Sequence, residues 1–499
     1  MAQSEAFGAE CISGPGTDCR VVMKRLFSEY GSVLVFLLLC GYYSVVTWSE
    51  QHPTNAAAGR SLAQSIIARH GVQSDTLIIV RDTVADRVFA KAISSELTEL
   101  GGHVRETVFA KAPVDAGRAL RRISSDDPLE AVATHHAGTQ WGPLKVDRLK
   151  RLANQLSLPQ VPKVHVPESY MWPSFLTWSN ILNVFKNNAD IAIIAIGMTM
   201  VIITAGIDLS VGSLLALSGV ISAVMIQRWW GGEDAGLGGL IAGCLIGAGI
   251  CALSGTLNGI MVTVCHIPAF VVTLAMMMVA RGLALIIAVD YQSFLSGGGT
   301  KGTPEAVKID HEAFGAFSNG ELFGIPNPIL LTLLLYLLAH ILMTNTPVGR
   351  YIYAVGGNRE AARLSGVPVM LVLIFVYTLC GAFAGLSGVM DASRFEGGRP
   401  NAGELYELRV IAAVVVGGTS LAGGEGRIFG TLVGAGIIAI IQNGLNMQGV
   451  ATYEQMVVFG SLILAAAMID QLKKSDWALR IFELPQRWIK KPRQGETPR

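Results

Sequence analysis

The sequence predicts an all-α polytopic membrane protein of about ten transmembrane helices, with a small α/β extracytoplasmic insertion after the first helix. Three observations predict it. Of the 499 residues, 51% are hydrophobic and only 15% charged, whereas a soluble domain carries about 25% charged residues. The charges concentrate in 1–30, 49–187 and 471–499, and the remainder falls into Leu/Ile/Val/Ala/Gly-rich runs near 20 residues long. About 20 apolar residues rising 1.5 Å each cross ~30 Å of hydrocarbon. Glycine is abundant, at 56 residues, which suits the close helix packing used in lipid. A formal net charge of +1 supplies no electrostatic footprint for a nucleic-acid partner.

Residues 1–30 read as a cytoplasmic tail and 31–48 as the first span. That run follows Arg20, Lys24 and Arg25 and lacks a small-residue cleavage site, so it reads as uncleaved. Further apolar runs fall at 188–205, 211–228, 237–261, 266–288, 327–343, 368–390, 408–418, 425–445 and 453–470, with 408–418 short for a full span. Lys and Arg in short loops orient the chain. Alternation puts the loop with Arg350, Arg359 and Arg363 inside, together with the tail 471–499. It puts 229–236, 289–326 and 391–407 outside. The even count leaves both termini in the cytoplasm.

Residues 49–170 stand apart from the apolar membrane segment 171–470. A β-rich run at Leu77–Val80 precedes Phe89, Ile93, Leu97 and Leu100, which recur at helical spacing. Thr83 is placed to cap that helix, with Asp86 three residues on. Gly101-Gly102 stops it and "HVRETVFA" alternates like a strand. A helix over 114–123 and a strand near 131–134 follow, and the proline-rich stretch 157–173 reads as a linker. His135-His136 reads as a surface pair, because neighbours point apart and no further ligand accompanies them. The seven cysteines contain no C-x-x-C pair and read as small apolar fillers.

No Gly-Lys-Ser or Gly-Lys-Thr occurs, so the chain has no P-loop. "SGGGTKGTPE" (296–305) has the wrong order and reads as a flexible loop. "VGGNREAARLSGVPV" (355–369) places an N-cap, Asn358, before a short Ala-containing helix and a stop, Gly366, before Pro368. It reads either as a positive-inside loop or as a docking helix for a cytoplasmic partner. "TAGIDLSVGSLLALSG" (204–219) sets Asp208 between two apolar runs. A carboxylate there is costly unless it faces protein or water. It suits capping by Asp208 or Ser210 of a helix that starts near Val211. It also suits a hydroxyl-binding acid in a pathway, or a proton-coupling group. Asp208 reads as the only central acid, which weighs against an ion-coupled secondary transporter. Arg281 lies within a span and reads as an ion-pair or hydrogen-bond anchor. Asn258, Gln442, Asn443 and Asn446 are polar groups in apolar runs, either gluing helices or lining a cavity. "GCLIG", "GAFAG" and "GTLVG" are G-x-x-x-G faces for close packing.

The segments 197–223, 267–285, 353–369 and 411–450 together resemble the membrane permeases of bacterial ABC importers for monosaccharides. The ribose, xylose, arabinose and galactofuranose systems are the type members. The match covers nearly all of 175–470, in the family's order. The resemblance implies a multi-pass protein of the bacterial inner membrane that performs no chemistry itself. It implies two cytoplasmic ATPase domains that bind ATP and magnesium, a periplasmic sugar-binding protein, and a homodimer or heterodimer of permeases. Asn358, Arg359, Glu360, Ala361, Arg363 and Gly366 match the family's ATPase-coupling segment. Asp208, Ser210, Asn258, Arg281 and Asn443 remain candidates for the translocation pathway or for the helix break. Autoinducer-2, nucleoside and branched-chain amino acid permeases are relatives, so other small solutes stay open. The insertion departs from the family and resembles a fragment of a sugar-binding protein. A docking platform, a degenerate tethered lobe and a stability module are all open for it.

Overall fold

The computed structural model describes residues 19–72, 74–122, 129–155, 158, 160–295 and 303–474. Most of both expected cytoplasmic tails (1–18 and 475–499) and residues 296–302 of the glycine-rich loop therefore lie outside the described residues. The chain forms two compact units, one from 1–44 with 178–499 and the other from 45–177.

Helix α1 (Cys19–Val46) carries an apolar stretch, Gly31–Val46. The smaller unit then begins with β1 (Trp48–Gln51) and α2 (Ala56–His70). It continues through β2 (Asp75–Arg81), α3 (Val84–Glu99), β3 (His103–Ala110) and α4 (Pro113–Leu120). Next come β4 (Ala131–Ala133), α5 (His136–Thr139), α6 (Val146–Gln155), β5 (Lys163–His165) and β6 (Tyr170–Pro173). Strands β3-β2-β4-β5 form one parallel sheet in that order. Leu62, Ile66, Phe89, Ile93 and Leu97 pack on one face, and Ala116, Leu120, Leu144 and Leu149 on the other. Covering both faces is what a parallel sheet requires. Thr83 Oγ1 accepts Asp86 N at 3.2 Å, and Gly101 at φ +84° ends the helical region. Asp86 does not complete a capping box, because its carboxylate takes Arg81 Nε at 2.7 Å instead. Strands β1 and β6 pair antiparallel, bringing the two ends of the unit together.

His135 is not a surface residue: it is 1% exposed, and its Nδ1 accepts Gly138 N at 2.7 Å. The stretch expected as a linker holds β5 and β6, because three residues suffice for an edge strand where proline cannot continue one.

In the larger unit α7 (Trp178–Ile203) bends by 47° where Asn188 interrupts it. Asn188 Nδ2 donates to Val184 O at 2.9 Å, a side-chain bond that disturbs the ladder. Helices α8 (Val211–Trp229), α9 (Leu237–Thr263) and α10 (Ala269–Leu295) follow. The chain continues with α11 (Glu312–Asn319), α12 (Asn327–Asn345), α13 (Pro347–Gly357) and α14 (Arg359–Leu364). It ends with α15 (Val369–Arg394), α16 (Tyr406–Val416), α17 (Ile428–Met447) and α18 (Thr452–Lys474). Among the described residues, six helices are long and apolar enough to cross a membrane, or seven if bent α7 is one span. The apolar parts of α1 and α18 are shorter, and α16 has 11 residues. At 1.5 Å per residue that is about half a hydrocarbon layer.

Helix α15 packs against α9, α8 and α7 at the centre of the bundle. The glycine faces explain the closeness. A Cβ on Gly255 would overlap Tyr377 O, and one on Gly385 would sit 2.7 Å from Ala248 Cα. A Cβ on Gly434 would overlap Ala413 O of α16.

The segment 391–407 is not an exposed loop throughout. Helix α15 runs through Arg394, and residues 397–403 then enter the bundle, with Gly397, Gly398, Pro400, Ala402 and Gly403 buried. A Cβ on Gly398 would lie 2.6 Å from Val220 Cα, and one on Gly403 2.5 Å from Gly212 O. Bare backbone against α8 is what allows a polar, glycine-rich segment to be buried.

Candidate functional site

Three constructions stand out in the larger unit: a broken span, an exposed short helix, and a buried ion cluster. The break joins α7 to α8. Ala205, at φ +59°, turns the chain out of α7. Asp208 Oδ1 accepts Ser210 N at 2.9 Å and Ser210 Oγ at 2.6 Å. Ser210 occupies the position just before α8, but its hydroxyl serves Asp208 rather than the helix N–H groups. Asn258 Nδ2 of α9 donates to the same Ser210 Oγ at 3.2 Å. Asp208, Ser210 and Asn258 are all fully buried. The sequence-derived residues Asp208, Ser210 and Asn258 thus form one hydrogen-bonded group.

Arg281 and Asn443 lie elsewhere. Arg281 Nη1 donates to Pro400 O at 2.6 Å and Ala402 O at 2.8 Å, tying α10 to the entering segment. Asn443 of α17 and Asn180 of α7 exchange amide hydrogen bonds of 2.9 and 3.1 Å. Asn446 Oδ1 accepts Gln455 Nε2 at 2.8 Å, joining α17 to α18. Among the described residues, Gln442 Oε1 is buried without a hydrogen-bond partner.

The short helix α14 is held at both ends. Asn358 Oδ1 accepts Ala361 N at 2.9 Å, and Gly366 at φ +83° follows its last turn. Val367 N closes back onto Ala362 O at 3.0 Å. Of its six residues only Ala362 is buried. Arg363 and Glu360 pair at 2.9 Å on the surface, and Leu364 is 84% exposed. The preceding α13 is fastened to the bundle through backbone. A Cβ on Gly356 would overlap Ile203 O and approach Gly424 N to 2.7 Å. Gly424 N donates to Ile203 O at 2.8 Å, and Tyr353 Oη to Gly426 O at 2.7 Å.

The ion cluster was not foreseen. Asp208 is not the only central acid: Asp190 of α7 and Asp391 of α15 are 1% and 2% exposed. Arg394 pairs with Asp190, and at 3.2 Å with Asp391. Arg399 reaches Asp391 at 2.7 Å, with its guanidinium 3.7 Å from the Phe395 ring centroid. The available signal was local: Asp190 inside an apolar run, and Asp391 three residues before Arg394. Each acid is matched by an arginine, so the cluster resembles a clamp between α7, α15 and the entering segment rather than an ion-coupling site. Among the described residues, no group of three or more metal-ligating side chains is gathered.

A bundle of membrane-length helices with a broken span at its core and an exposed capped helix between two spans defines a membrane permease. The family model described as the permease component of branched-chain amino acid transport systems matches residues 180–467. The ribose import permease of Escherichia coli (strain K12) is 42% identical over 308 residues, 61% of this chain and 90% of that protein. The ribose import permease of Bacillus subtilis (strain 168) is 43% identical over 307 residues, 62% of this chain and 89% of that protein. The L-arabinose transporter permease of Azospirillum brasilense is 36% identical over 303 residues, 61% and 83% of the two chains. No solved structure matches. The chain belongs to this family, among the permeases of monosaccharide ABC importers.

Proposed function

We propose that this chain is the membrane-spanning subunit of an ATP-binding-cassette importer that moves a pentose or hexose by alternating access. One observation carries the reading: proteins named for ribose, allose and arabinose transport align with it over 90%, 85% and 83% of their own lengths. Two cytoplasmic ATPase domains bind ATP and magnesium and dock on α14, and the absence of a P-loop in this chain fits that division of labour. The exposure of Arg359, Glu360, Arg363 and Leu364 supports the docking role. A periplasmic sugar-binding protein delivers the solute, and a second permease, identical or different, completes the membrane unit. The protein crosses the bacterial inner membrane ten times with both termini in the cytoplasm. In its favour, each of the ten apolar runs overlaps a helix over most of its length, and residues 397–403 supply the depth that the short α16 lacks.

The α/β unit then lies outside the cytoplasm. In a doubly wound sheet the ligand crevice opens where strand order reverses, here between β2 and β4. Buried Asp86 and His135, 3.6 Å apart, fill that place, with Trp141 edge-on to His135. This favours a docking platform for the binding protein over a sugar-binding lobe. The test is sugar uptake into proteoliposomes holding the permease and its ATPase, with the binding protein and sugar supplied outside and ATP inside. Replacing the P-loop lysine of the ATPase abolishes uptake. Uptake that persists without ATP and follows an ion gradient refutes the proposal.

A further inference from the structure

We infer that the β1–β6 ribbon is an interfacial anchor, seated in the headgroup layer of the bilayer with Trp48, Met171 and Trp172 against lipid. The inference rests on reading the chain as a membrane protein, not on which solute it carries. Three observations point to it.

The first is reach. Trp48 is two residues beyond the end of α1 at Val46. A chain spans at most about 3.6 Å per residue, so Trp48 lies within ~7 Å of that helix end. The headgroup region on each side of the hydrocarbon is also roughly 5–7 Å deep. The apolar part of α1 is Gly31–Val46, about 24 Å at helical rise. It is shorter than the hydrocarbon and does not lift its outer end clear of the membrane. Trp172 pairs with Ser49 across the ladder, and paired strands lie about 4.8 Å apart. Trp172 is therefore held at nearly the same depth.

The second is composition. Trp48, Tyr170, Met171 and Trp172 are each 45–56% exposed in a ribbon of eight residues. Partners across a ladder share a face, so Met171 lies with Glu50 on the Trp48 face, and Tyr170 with Gln51 on the Trp172 face. Large rings with one polar atom are the side chains that concentrate at membrane–water boundaries. Water alone does not account for aromatic groups on both faces of so small an element.

The third is polar satisfaction. The two N–H groups of Gln51 Nε2 are shared among Ser49 Oγ at 2.9 Å, Ser174 Oγ at 2.8 Å and Trp172 O at 3.2 Å. The hydroxyls of Ser49 and Ser174 are 2.6 Å apart, and Ser169 donates to Glu50. The polar side chains between the rings thus satisfy one another. That lowers the cost of entering a layer poorer in water than the bulk.

The test uses the full-length chain in phosphatidylcholine proteoliposomes. Tryptophan emission of the wild type is compared with that of Trp48→Phe/Trp172→Phe, so the difference reports these two residues alone. It is recorded in lipid brominated near the headgroup end of the acyl chains, and separately with aqueous iodide. The expected result is loss of most of the difference emission in brominated lipid and little loss with iodide. Quenching by iodide and not by brominated lipid places the ribbon in water and overturns the inference. Quenching by neither places protein over the rings and overturns it equally. If the double variant does not fold, the single Trp172→Tyr is read by the same criteria.

Discussion

Replacing Arg394 by Met tests whether the buried cluster is a structural clamp. Asp190 is 1% exposed, and Arg394 is its only salt-bridge partner among the described residues. Asp391 is better insured, since Arg399 Nη2 stays 2.7 and 3.0 Å from its two oxygens. The substitution therefore strands one buried carboxylate rather than two, and stranding one partner of a buried pair costs about 3–5 kcal/mol. Asp190→Leu leaves Arg394 with Asp391 at 3.2 Å and with the Phe395 ring, so it costs less, about 1–3 kcal/mol. The double variant strands nothing and exchanges an ion pair for apolar contact, a change that is often near neutral. The singles then sum to roughly 4–8 kcal/mol, the double lies near ~1 kcal/mol, and the coupling is at least ~3 kcal/mol. The assay is the heat-unfolding midpoint of the purified full-length chain in detergent. At about 2 °C per kcal/mol for a large domain, Arg394→Met falls by roughly 6–10 °C and the double variant by about 2 °C. Additivity within ~0.5 kcal/mol refutes the clamp. Sugar uptake that vanishes in a stable double variant refutes a purely structural role for Asp190.

Three further outcomes are expected. Arg359→Ala/Glu360→Ala removes two exposed side chains, so stability changes by no more than ~0.5 kcal/mol. ATP-driven uptake falls at least tenfold, and unchanged uptake shows that the segment is only a topology signal. Asp208→Ala removes the acceptor of two buried bonds to Ser210 and costs about 1–3 kcal/mol of stability. Asp208→Asn keeps an acceptor oxygen and costs less than ~1 kcal/mol. Normal stability with lost uptake in Asp208→Asn favours a pathway role instead. In the α/β unit, burial first, then His70, Arg69 and Lys163, push His165 down to about 4. Its neutral ring shares a proton with His70 across 2.8 Å. A histidine with a depressed folded pKa adds stability that is complete above about 6.5, its unfolded value, and is lost as pH falls toward about 4. After correction for the intrinsic slowing of exchange in acid, amide protection at the end of α2 and in β5 should fall between pH 7 and pH 5, and His165→Asn should abolish that dependence.

Much of the helical bundle was legible because hydropathy is a one-dimensional property. Each of the ten apolar runs overlaps a helix over most of its length. The break at Asp208 was legible for a similar reason: Gly, Asp and Ser interrupt a pattern that otherwise does not change. Cap chemistry also reads locally, as with Asn358 and Gly366. The pairing within the ion cluster did not read locally. Asp190 and Arg394 are 204 positions apart, and only folding shows that a loop-like Arg399 belongs with them. The burial of 397–403 was hidden too, since hydropathy scores side chains and this segment is buried through its backbone. In the α/β unit the pattern at 77–110 was long enough to read. The three-residue β5 was not, because its partner β4 defines it as a strand.

The broken span and the exposed helix share one physical principle, contact through bare backbone. The exposed helix α14 continues from α13, α13 touches Ile203 through the bare backbone of Gly356, and Ile203 is the last residue before the break. At the other side of the break, Gly212 meets the entering segment at Gly403, which Arg281 holds through Pro400 and Ala402. A side chain in such a contact rotates to absorb a small shift, whereas backbone against backbone has no rotamer to change. Close-packed interiors transmit strain for the same reason. A shift of α13 on the order of an ångström therefore moves the end of α7 with it. The hydrogen-bonded group of Asp208, Ser210 and Asn258 lies directly in line. On this view the carboxylate at the break needs no catalytic role: it keeps the joint between α7 and α8 in one shape while the helices on either side are pulled.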